Sequence, residues 1–202
     1  MVSLASGRDH NCAIVADGSV WCWGSNDAGQ VGAGGSDGSD EQPIPIEVPG
    51  FEGSSSLALG YSHTCALAAG GTVRCMGSNE FGQLGTGTWE DSPEPVKVTG
   101  LSDVVAVVAG AEHTCALTVS DEVYCWGDNE KGQLGNGTYQ SSFVPTGVVG
   151  LTDVLSISVG SGHSCALTED GRILCWGDNN FSQLGGGPLF DGPSSPEPME
   201  IW

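Results

Sequence analysis

The amino-acid sequence predicts an all-β protein, a β-propeller assembled from four repeats of about 50 residues with four strands in each. The first observation is a histidine that recurs at intervals of 53, 50 and 50 residues: His10, His63, His113 and His163. The second is a period-two alternation of apolar and polar residues in each unit, which indicates short strands rather than helices. The third is glycine, which supplies 33 of the 202 residues and marks turns. Four short strands in a repeated unit are typical of a propeller blade.

The third repeat shows the four predicted strands in order. An apolar, small-residue run, Val104–Ala109, ends at a glycine, and Thr114–Thr118 follows it as the second strand. A turn leads into Val123–Trp126, and a turn over residues 129–135 separates that strand from the fourth, Val144–Val149. The fourth strand carries a proline, which lacks an amide donor, so we expect it at the outer edge of the blade.

The four repeats account for the whole chain, which predicts a single repeat domain over residues 1–202. The repeats span residues 1–50, 51–100, 101–150 and 151–202. The chain opens on a first strand, Val2–Ser6, and closes on a fourth, Pro196–Trp202, with no half-unit that would lock the first blade to the last. We therefore expect a partial or open propeller, or one that is closed by self-association.

Each repeat carries two cysteines, ten residues apart, on either side of a tight turn. In the first repeat a three-residue turn, Ala16-Asp17-Gly18, places Cys12 opposite Cys22 at a non-hydrogen-bonded pair, where Cα atoms lie about 4.5 Å apart. That distance is at the short end of the disulfide range. The same count applies in every repeat, so we predict four disulfides: Cys12–Cys22, Cys65–Cys75, Cys115–Cys125 and Cys165–Cys175.

Four disulfides in one domain indicate an oxidising compartment, so we expect an extracellular or periplasmic protein, although Met1–Ser6 shows no export signal. The alternative is zinc bound by the histidine and cysteines of a repeat, which offers only three ligands in a chain without a C-x-x-C motif. We therefore expect no metal and no other cofactor. The histidines are predicted to be structural, with each imidazole bonding the backbone or a turn of its own repeat.

The charge balance is strongly acidic. Twenty-five acidic residues against five basic ones give a formal net charge of −20 at pH 7. Nucleic acids and anionic membrane surfaces attract clusters of Lys and Arg, whereas the five basic residues here are scattered singly. No apolar run reaches the ~18–20 residues that a membrane-spanning helix needs. We expect neither nucleic acid nor membrane as a partner; the acidity indicates a solvated surface or, alternatively, a basic partner or a cation.

Three motifs recur along the chain: G-x-x-H-[TS]-C-A-L, C-W-G-x-N-x-x-G-Q-L-G and a closing P-x-P-V-x-V strand. They cover essentially all 202 residues and resemble the regulator of chromosome condensation repeat family. The paired cysteines resemble those of its secreted bacterial members. Local departures from the family pattern are Met76 for Trp, Val31 for Leu, Ser182 for Gly, and Asp121-Glu122 for the usual Asp-Gly.

The resemblance implies a propeller that usually has seven blades, whereas this chain has repeats for four. Three arrangements remain open: an excerpt of a longer propeller, an arc completed by association, and a closed four-blade ring. We favour association or a longer parent chain, because an open arc exposes apolar blade faces. The family includes a chromatin-bound exchange factor for a small GTPase and a secreted inhibitor of β-lactamases, and the resemblance assigns neither activity to residues of this chain.

The sequence predicts a non-catalytic scaffold that binds another protein through variable blade loops. The loops after the G-Q-L-G turns differ between repeats and carry aromatic residues that suit an interface: Trp89, Tyr139 and Phe190. Tyr61 and Glu112, in turns before the histidines, are further candidates. An alternative is that the aromatics only cap the blade edges. Alternative functions are a secreted hydrolase-associated module and a propeller that binds a cation or a glycan; the scattered acids disfavour catalysis.

Overall fold

The computed structural model describes residues 3–32, 40–187 and 192–201, which form 16 strands in four antiparallel sheets of four strands each. Blade 1 contains β1 (Ser3–Ser6), β2 (His10–Ile14), β3 (Val20–Ser25) and β4 (Glu41–Glu47). Blade 2 contains β5 (Ser54–Leu59), β6 (His63–Ala68), β7 (Thr72–Gly77) and β8 (Ser92–Lys97). Blade 3 contains β9 (Val104–Ala109), β10 (His113–Thr118), β11 (Val123–Gly127) and β12 (Ser142–Gly147). Blade 4 contains β13 (Val154–Val159), β14 (His163–Thr168), β15 (Ile173–Asp178) and β16 (Ser194–Glu200).

Each blade is a meander in which neighbouring strands of the chain pair in order. The hairpin between the second and third strands has the predicted register, with Cys12 opposite Cys22 and Ile14 opposite Val20. Gly18 closes this turn at a φ of 88°, a left-handed conformation that glycine adopts without a Cβ penalty. The four predicted disulfides form across these hairpins, with Cα atoms 4.0 to 4.1 Å apart.

The outer strands of blades 3 and 4 differ most from their predicted bounds. In blade 3 the predicted Val144–Val149 lies two residues beyond the observed β12, Ser142–Gly147. A register shift between Cys125 and Gly127 in the β11–β12 ladder accounts for the difference, because a bulge moves the pairing along the strand. The last strand of the chain is likewise Ser194–Glu200 rather than Pro196–Trp202.

The hydrophobic core lies between the blades rather than inside one of them. The blade 1–blade 2 cluster joins Ile14 and Val20 to Ala66 and Met76. Equivalent clusters hold blade 2 to blade 3 and blade 3 to blade 4, with Trp126 and Trp176 in the place of Met76. Each blade therefore has a leading face, which packs on the preceding blade, and a trailing face, which packs on the following one. Within the described residues, no helix is long and apolar enough to cross a bilayer.

Candidate functional site

The turns that join the first and second strands of the four blades meet in a shallow recess of about 230 Å³, here called the inner recess. Main-chain hydrogen bonds link these turns in sequence: Arg8 N donates to Gly60 O at 3.2 Å, Tyr61 N to Ala111 O at 3.0 Å, and Ala111 N to Ser161 O at 2.9 Å. Residues that are about 50 positions apart in the chain thus form one continuous rim.

Tyr61, a predicted binding residue, lies in this recess. Its hydroxyl is 3.1 Å from Ser161 Oγ, so the side chain reaches from blade 2 to blade 4. The Arg8 guanidinium lies 5.1 Å from the centre of the Tyr61 ring, and Arg8 Nε is 3.2 Å from Asp9 Oδ2. Arg8 is a recess residue that the sequence pattern did not single out, since its proximity to Tyr61 depends on the packing of two blades.

Glu112, the second predicted residue in these turns, is committed to a contact between blades. Its Oε2 accepts a hydrogen bond of 2.7 Å from Gln83 Nε2 of blade 2. In blades 3 and 4 the equivalent glutamine donates to an aspartate of its own blade, Asp128 or Asp178. Blade 2 has Ser78 at that position, so Glu112 supplies the missing carboxylate from the next blade.

Burial raises the pKa of Glu112 to about 7. The hydrogen bond from Gln83 opposes this shift, whereas the carboxylates of Asp128 and Glu80 add to it. Glu112 therefore titrates near neutral pH at the edge of the inner recess.

The outer loops place two predicted aromatic residues at the surface. Trp89 is 46% exposed and Tyr139 is 50% exposed. Trp89 also packs edge-on against Phe143 of blade 3, with ring centres 4.8 Å apart, so it partly caps a blade edge as the alternative prediction states. Phe190 lies outside the described residues.

A repeated asparagine fixes the backbone on both sides of each aromatic residue. Asn79 Nδ2 donates to the carbonyls of Thr88 and Glu90, which flank Trp89, at 2.9 and 3.0 Å. Asn129 Nδ2 donates in the same way to the residues on either side of Tyr139, at 3.0 Å each. Both loops are thus held at one end of the sheets by a buried side chain.

The inner recess and the outer loops lie at the same end of the blades. In an antiparallel meander, the turn between the first and second strands and the loop between the third and fourth must share one end of the sheet. The hydrogen bond from Gln83 to Glu112 joins the two sets of turns directly. We call this end the loop face; it is defined by the inner recess and by the loops over residues 86–91 and 136–141.

The histidines are structural, but they bond the next repeat rather than their own, which corrects that part of the prediction. His10, His63 and His113 place Nε2 at 2.8 to 3.0 Å from a hydroxyl of the following blade: Thr64, Thr114 and Ser164. Each hydroxyl in turn donates to a glutamine carbonyl of the histidine's blade, at 2.7 to 3.0 Å. The hydroxyl hydrogen is therefore used, so Nε2 must carry the proton that it donates.

Burial keeps these imidazoles neutral. It lowers the pKa of His10 to about 4 and the pKa of His63 and His113 to about 3. Their Nδ1 atoms are buried and have no hydrogen-bond partner. A neutral ring with an inaccessible nitrogen suits a link between blades and not proton transfer to a substrate.

The described residues contain no group of three or more His, Cys, Asp or Glu side chains that would hold a metal ion. All eight cysteines are in disulfides, so the zinc alternative lacks its sulfur ligands. Phe181, in the turn after β15, is 89% exposed, and the sequence pattern did not reveal this. Its equivalent in blade 2, Phe81, is half-buried, and a single repeat gives no sign of this difference.

The chain is similar to known proteins in both sequence and structure. The profile of the RCC1-like domain matches residues 1–201. A protein RCC2 homolog of Danio rerio is 44% identical over 78 residues, which are 39% of this chain and 16% of that protein. Human RCC2 is 41% identical over 78 residues, which are 39% of this chain and 15% of that protein. The chain thus matches only a small part of the length of these relatives.

Two solved structures share the fold. Human WBSCR16 superposes with a TM-score of 0.86 at 24% identity, over 100% of this chain and 55% of that one. Prp20p of Saccharomyces cerevisiae superposes with a TM-score of 0.82 at 24% identity, over 98% of this chain and 50% of that one. The propeller arrangement of the four blades is confirmed, and the chain spans about half the length of each of these structures.

Proposed function

Because the chain belongs to the RCC1-like domain family, which it matches over residues 1–201, we propose that it is a non-catalytic propeller scaffold that binds another protein. The loop face is the binding surface, with Trp89 and Tyr139 as its anchors and the inner recess beside them. A protein with this fold binds other proteins: yeast RCC1 (Prp20) has been solved with Kap60 bound, and Prp20p has binding properties to Gsp1p and histones. Those are partners of Prp20, and a different protein is the expected partner of this chain.

One observation carries the proposal: two half-exposed aromatic side chains occupy equivalent loops that buried asparagines hold rigid. Aromatic residues dominate binding energy at interfaces because they bury a large area at a small cost in conformational entropy. A loop that is already ordered avoids a further entropic cost on binding. Trp89 and Tyr139 therefore have the properties of anchors, in addition to the edge contact that Trp89 makes with Phe143.

The proposed setting is an oxidising compartment, extracellular or periplasmic. Its support is the set of four disulfides, one across each hairpin. Disulfides persist where the surroundings are oxidising, and reducing compartments maintain thiols.

A photo-crosslinking experiment tests the binding surface. A photoreactive phenylalanine is placed at position 89, 139 or 119 of the chain and irradiated in the organism that produces it. Val119 is the control, because it is exposed but lies at the opposite end of the blade, in the turn after β10. We expect positions 89 and 139 to capture the same protein, identified by mass spectrometry, and position 119 to capture none of it. Capture from position 119 alone would contradict the assignment.

The captured protein then allows a quantitative measurement. Tyr139→Ala should weaken its binding by at least about thirtyfold, since an anchor contributes ~2 kcal/mol or more. Val119→Ala should leave binding unchanged. Tyr139 is preferred to Trp89 for this measurement, because Trp89→Ala also removes the packing against Phe143. Equal affinities of Tyr139→Ala and the unaltered chain would remove Tyr139 from the interface.

A further inference from the structure

The three junctions between blades share one set of contacts. The trailing face of one blade provides a histidine, a leucine or isoleucine, and a glutamine carbonyl. The leading face of the next blade provides a buried alanine and a hydroxyl that hydrogen-bonds to both the histidine and the carbonyl. Where the leading residue is tryptophan, its Nε1 also donates to the glutamine carbonyl, at 2.9 Å from both Trp126 and Trp176.

The chain also presents one unpaired copy of each face. On the trailing face of blade 4, Leu167 is 37% exposed, whereas its equivalent Leu117 is 4% exposed at an internal junction. His163 and Gln183 are likewise only half-buried. On the leading face of blade 1, Asn11, Ala13 and Trp23 are half-buried, although their equivalents in blades 2 to 4 are buried. Within one chain the two faces do not cover each other.

The two open faces have complementary chemistry. Asn11 stands where the other blades have Thr or Ser, and its amide keeps both functions of that hydroxyl. Its oxygen accepts from Ser6 Oγ at 2.8 Å and has a second lone pair that can accept from His163 Nε2. Its nitrogen can donate to the Gln183 carbonyl. The Trp23 indole N–H has no hydrogen-bond partner among the described residues and matches the same carbonyl.

We propose that the leading face of blade 1 docks on the trailing face of blade 4 of a second copy of this chain, head to tail. The contact continues an interface that the chain already forms three times. This interface does not depend on the proposed binding by the loop face, which lies at the end of the blades.

Ser182 limits how closely the second copy can approach the trailing face of blade 4. At the equivalent positions of blades 1 to 3, a Cβ on Gly29, Gly82 or Gly132 would lie 2.5 to 2.6 Å from a Cα in the outer strand of the next blade. The side chain of Ser182 would meet the outer strand of the second copy in the same way, near Pro43. Ser182 therefore holds the docked blade away, and Ser182→Gly should strengthen association.

The test measures the mass of the purified chain by light scattering over a range of concentrations. Leu167→Glu places a carboxylate on the trailing face, and Ala13→Glu places one on the leading face. Leu155→Glu is the matched control, with the same change in charge in the same blade, at a position that is 55% exposed; Val105, its blade 3 equivalent, is 52% exposed. We expect the unaltered chain and Leu155→Glu to associate with rising concentration, and the two face variants to require at least about tenfold higher concentration.

Mixing the variants tests the head-to-tail geometry. Two copies of the same variant cannot form an unaltered interface, because one of the two faces is always altered. In an equal mixture, the intact trailing face of Ala13→Glu can dock on the intact leading face of Leu167→Glu. The mixture should therefore associate where each variant alone does not. Association of Ala13→Glu alone at the level of the unaltered chain would overturn the proposal, since it would show that the leading face is not used.

Two further measurements test the proposed association. Each copy carries a net charge of −20, so repulsion opposes association, and about 1 M NaCl should strengthen the association by screening that repulsion. Ser182→Gly should lower the concentration at which association occurs. A single-copy mass for both the unaltered chain and Ser182→Gly in high salt would overturn the proposal, and so would equal loss of association in Leu155→Glu and Leu167→Glu. Crosslinking from the loop face would be unaffected by any of these results.

Discussion

The histidines of the first three repeats show how one side chain can hold two blades together. The imidazole, the hydroxyl of the next blade and the glutamine carbonyl form a closed polar link inside an apolar junction. A buried polar group that lacked this link would cost roughly 1–3 kcal/mol. The single partner of the ring is consistent with a neutral imidazole, because a second N–H would have no acceptor for its proton. The histidine recurs at equivalent positions of the blades, which indicates a structural role, as the sequence predicts.

Acid should weaken these links. Burial lowers the pKa of His10 from 6.5 to about 4, and the pKa of His63 and His113 from 6.5 to about 3. Between these folded values and pH 6.5, the unfolded chain therefore binds more protons than the folded chain. Their contribution to stability is complete above the unfolded pKa and is lost as the pH falls through the folded value.

Glu112 gives the opposite pH dependence, which leads to a prediction. Burial raises its pKa from 4.5 to about 7, so its contribution to stability is complete below 4.5 and is lost as the pH rises to about 7. Glu112→Gln keeps an acceptor for Gln83 and cannot ionise. We expect it to be more stable than the unaltered chain by roughly 1 kcal/mol at about pH 8, after allowing for solvent screening, and equally stable at about pH 4.

Equilibrium urea unfolding at the two pH values measures this difference. Glu80→Gln is the control, because it removes one negative charge from an exposed side chain nearby. A gain in Glu80→Gln equal to that in Glu112→Gln would show that general charge repulsion, and not the burial of Glu112, is responsible.

The hairpin between the second and third strands of each blade is the most predictable element of the molecule. The three-residue turn at Asp17, the positive φ of Gly18 and the Cys12–Cys22 register all follow from local spacing, and the structure has each of them. The second strand of blade 3 begins only one residue before its predicted start, at His113. The outer strand was less predictable, because its bounds depend on a bulge in the ladder with β11.

The candidate site residues divide in the same way. The exposure of Trp89 and Tyr139 in loops is a local property that composition indicates. The pairing of Arg8 with Tyr61, of Gln83 with Glu112 and of each histidine with the next blade joins residues from different repeats. Such contacts depend on how blades stack, and one repeat considered alone contains no information about its neighbour.

The G-Q-L-G turn gives a prediction at this scale, because its first glycine contacts the next blade. Gly132 has a φ of 81°, and a Cβ there would lie 2.5 Å from Pro196 Cα. Gly150 has a φ of 70° with nothing within 4 Å of a Cβ. Alanine at either position is strained by the left-handed backbone, at ~1 kcal/mol, but only Gly132→Ala also forces the outer strand of blade 4 away.

We expect Gly132→Ala to be less stable than Gly150→Ala by about 2 kcal/mol, the usual cost of overpacking. Chemical unfolding of the two variants with intact disulfides measures the difference directly. Equal stabilities would mean that the blade 3–blade 4 contact adapts without cost, and would weaken the role given to Ser182 at the open face.

The stability of the four-blade chain comes from a series of similar junctions. Each apolar cluster lies between two neighbouring blades, and each hairpin carries its own disulfide. In such a repeat protein the total stability is approximately a sum over blades and junctions between neighbours. The end blades lack one junction each, which explains why His163 is only half-buried while the internal histidines are fully enclosed.

The net charge of −20 opposes this stacking, which leads to a prediction for the intact chain. Among the residues that the structure describes, few attractive pairs offset the repulsion: Arg172 contacts Asp170 and Glu200, and Arg8 contacts Asp9, all at exposed positions. Salt shortens the screening length from ~30 Å at about 10 mM to ~8 Å at about 150 mM, so the melting temperature should rise over this interval. Calcium chloride at equal ionic strength should give the same rise as sodium chloride if screening is the cause. A melting temperature that falls with salt would show that attractive ion pairs dominate, and an additional, saturable rise with calcium would indicate a cation site among the acidic residues.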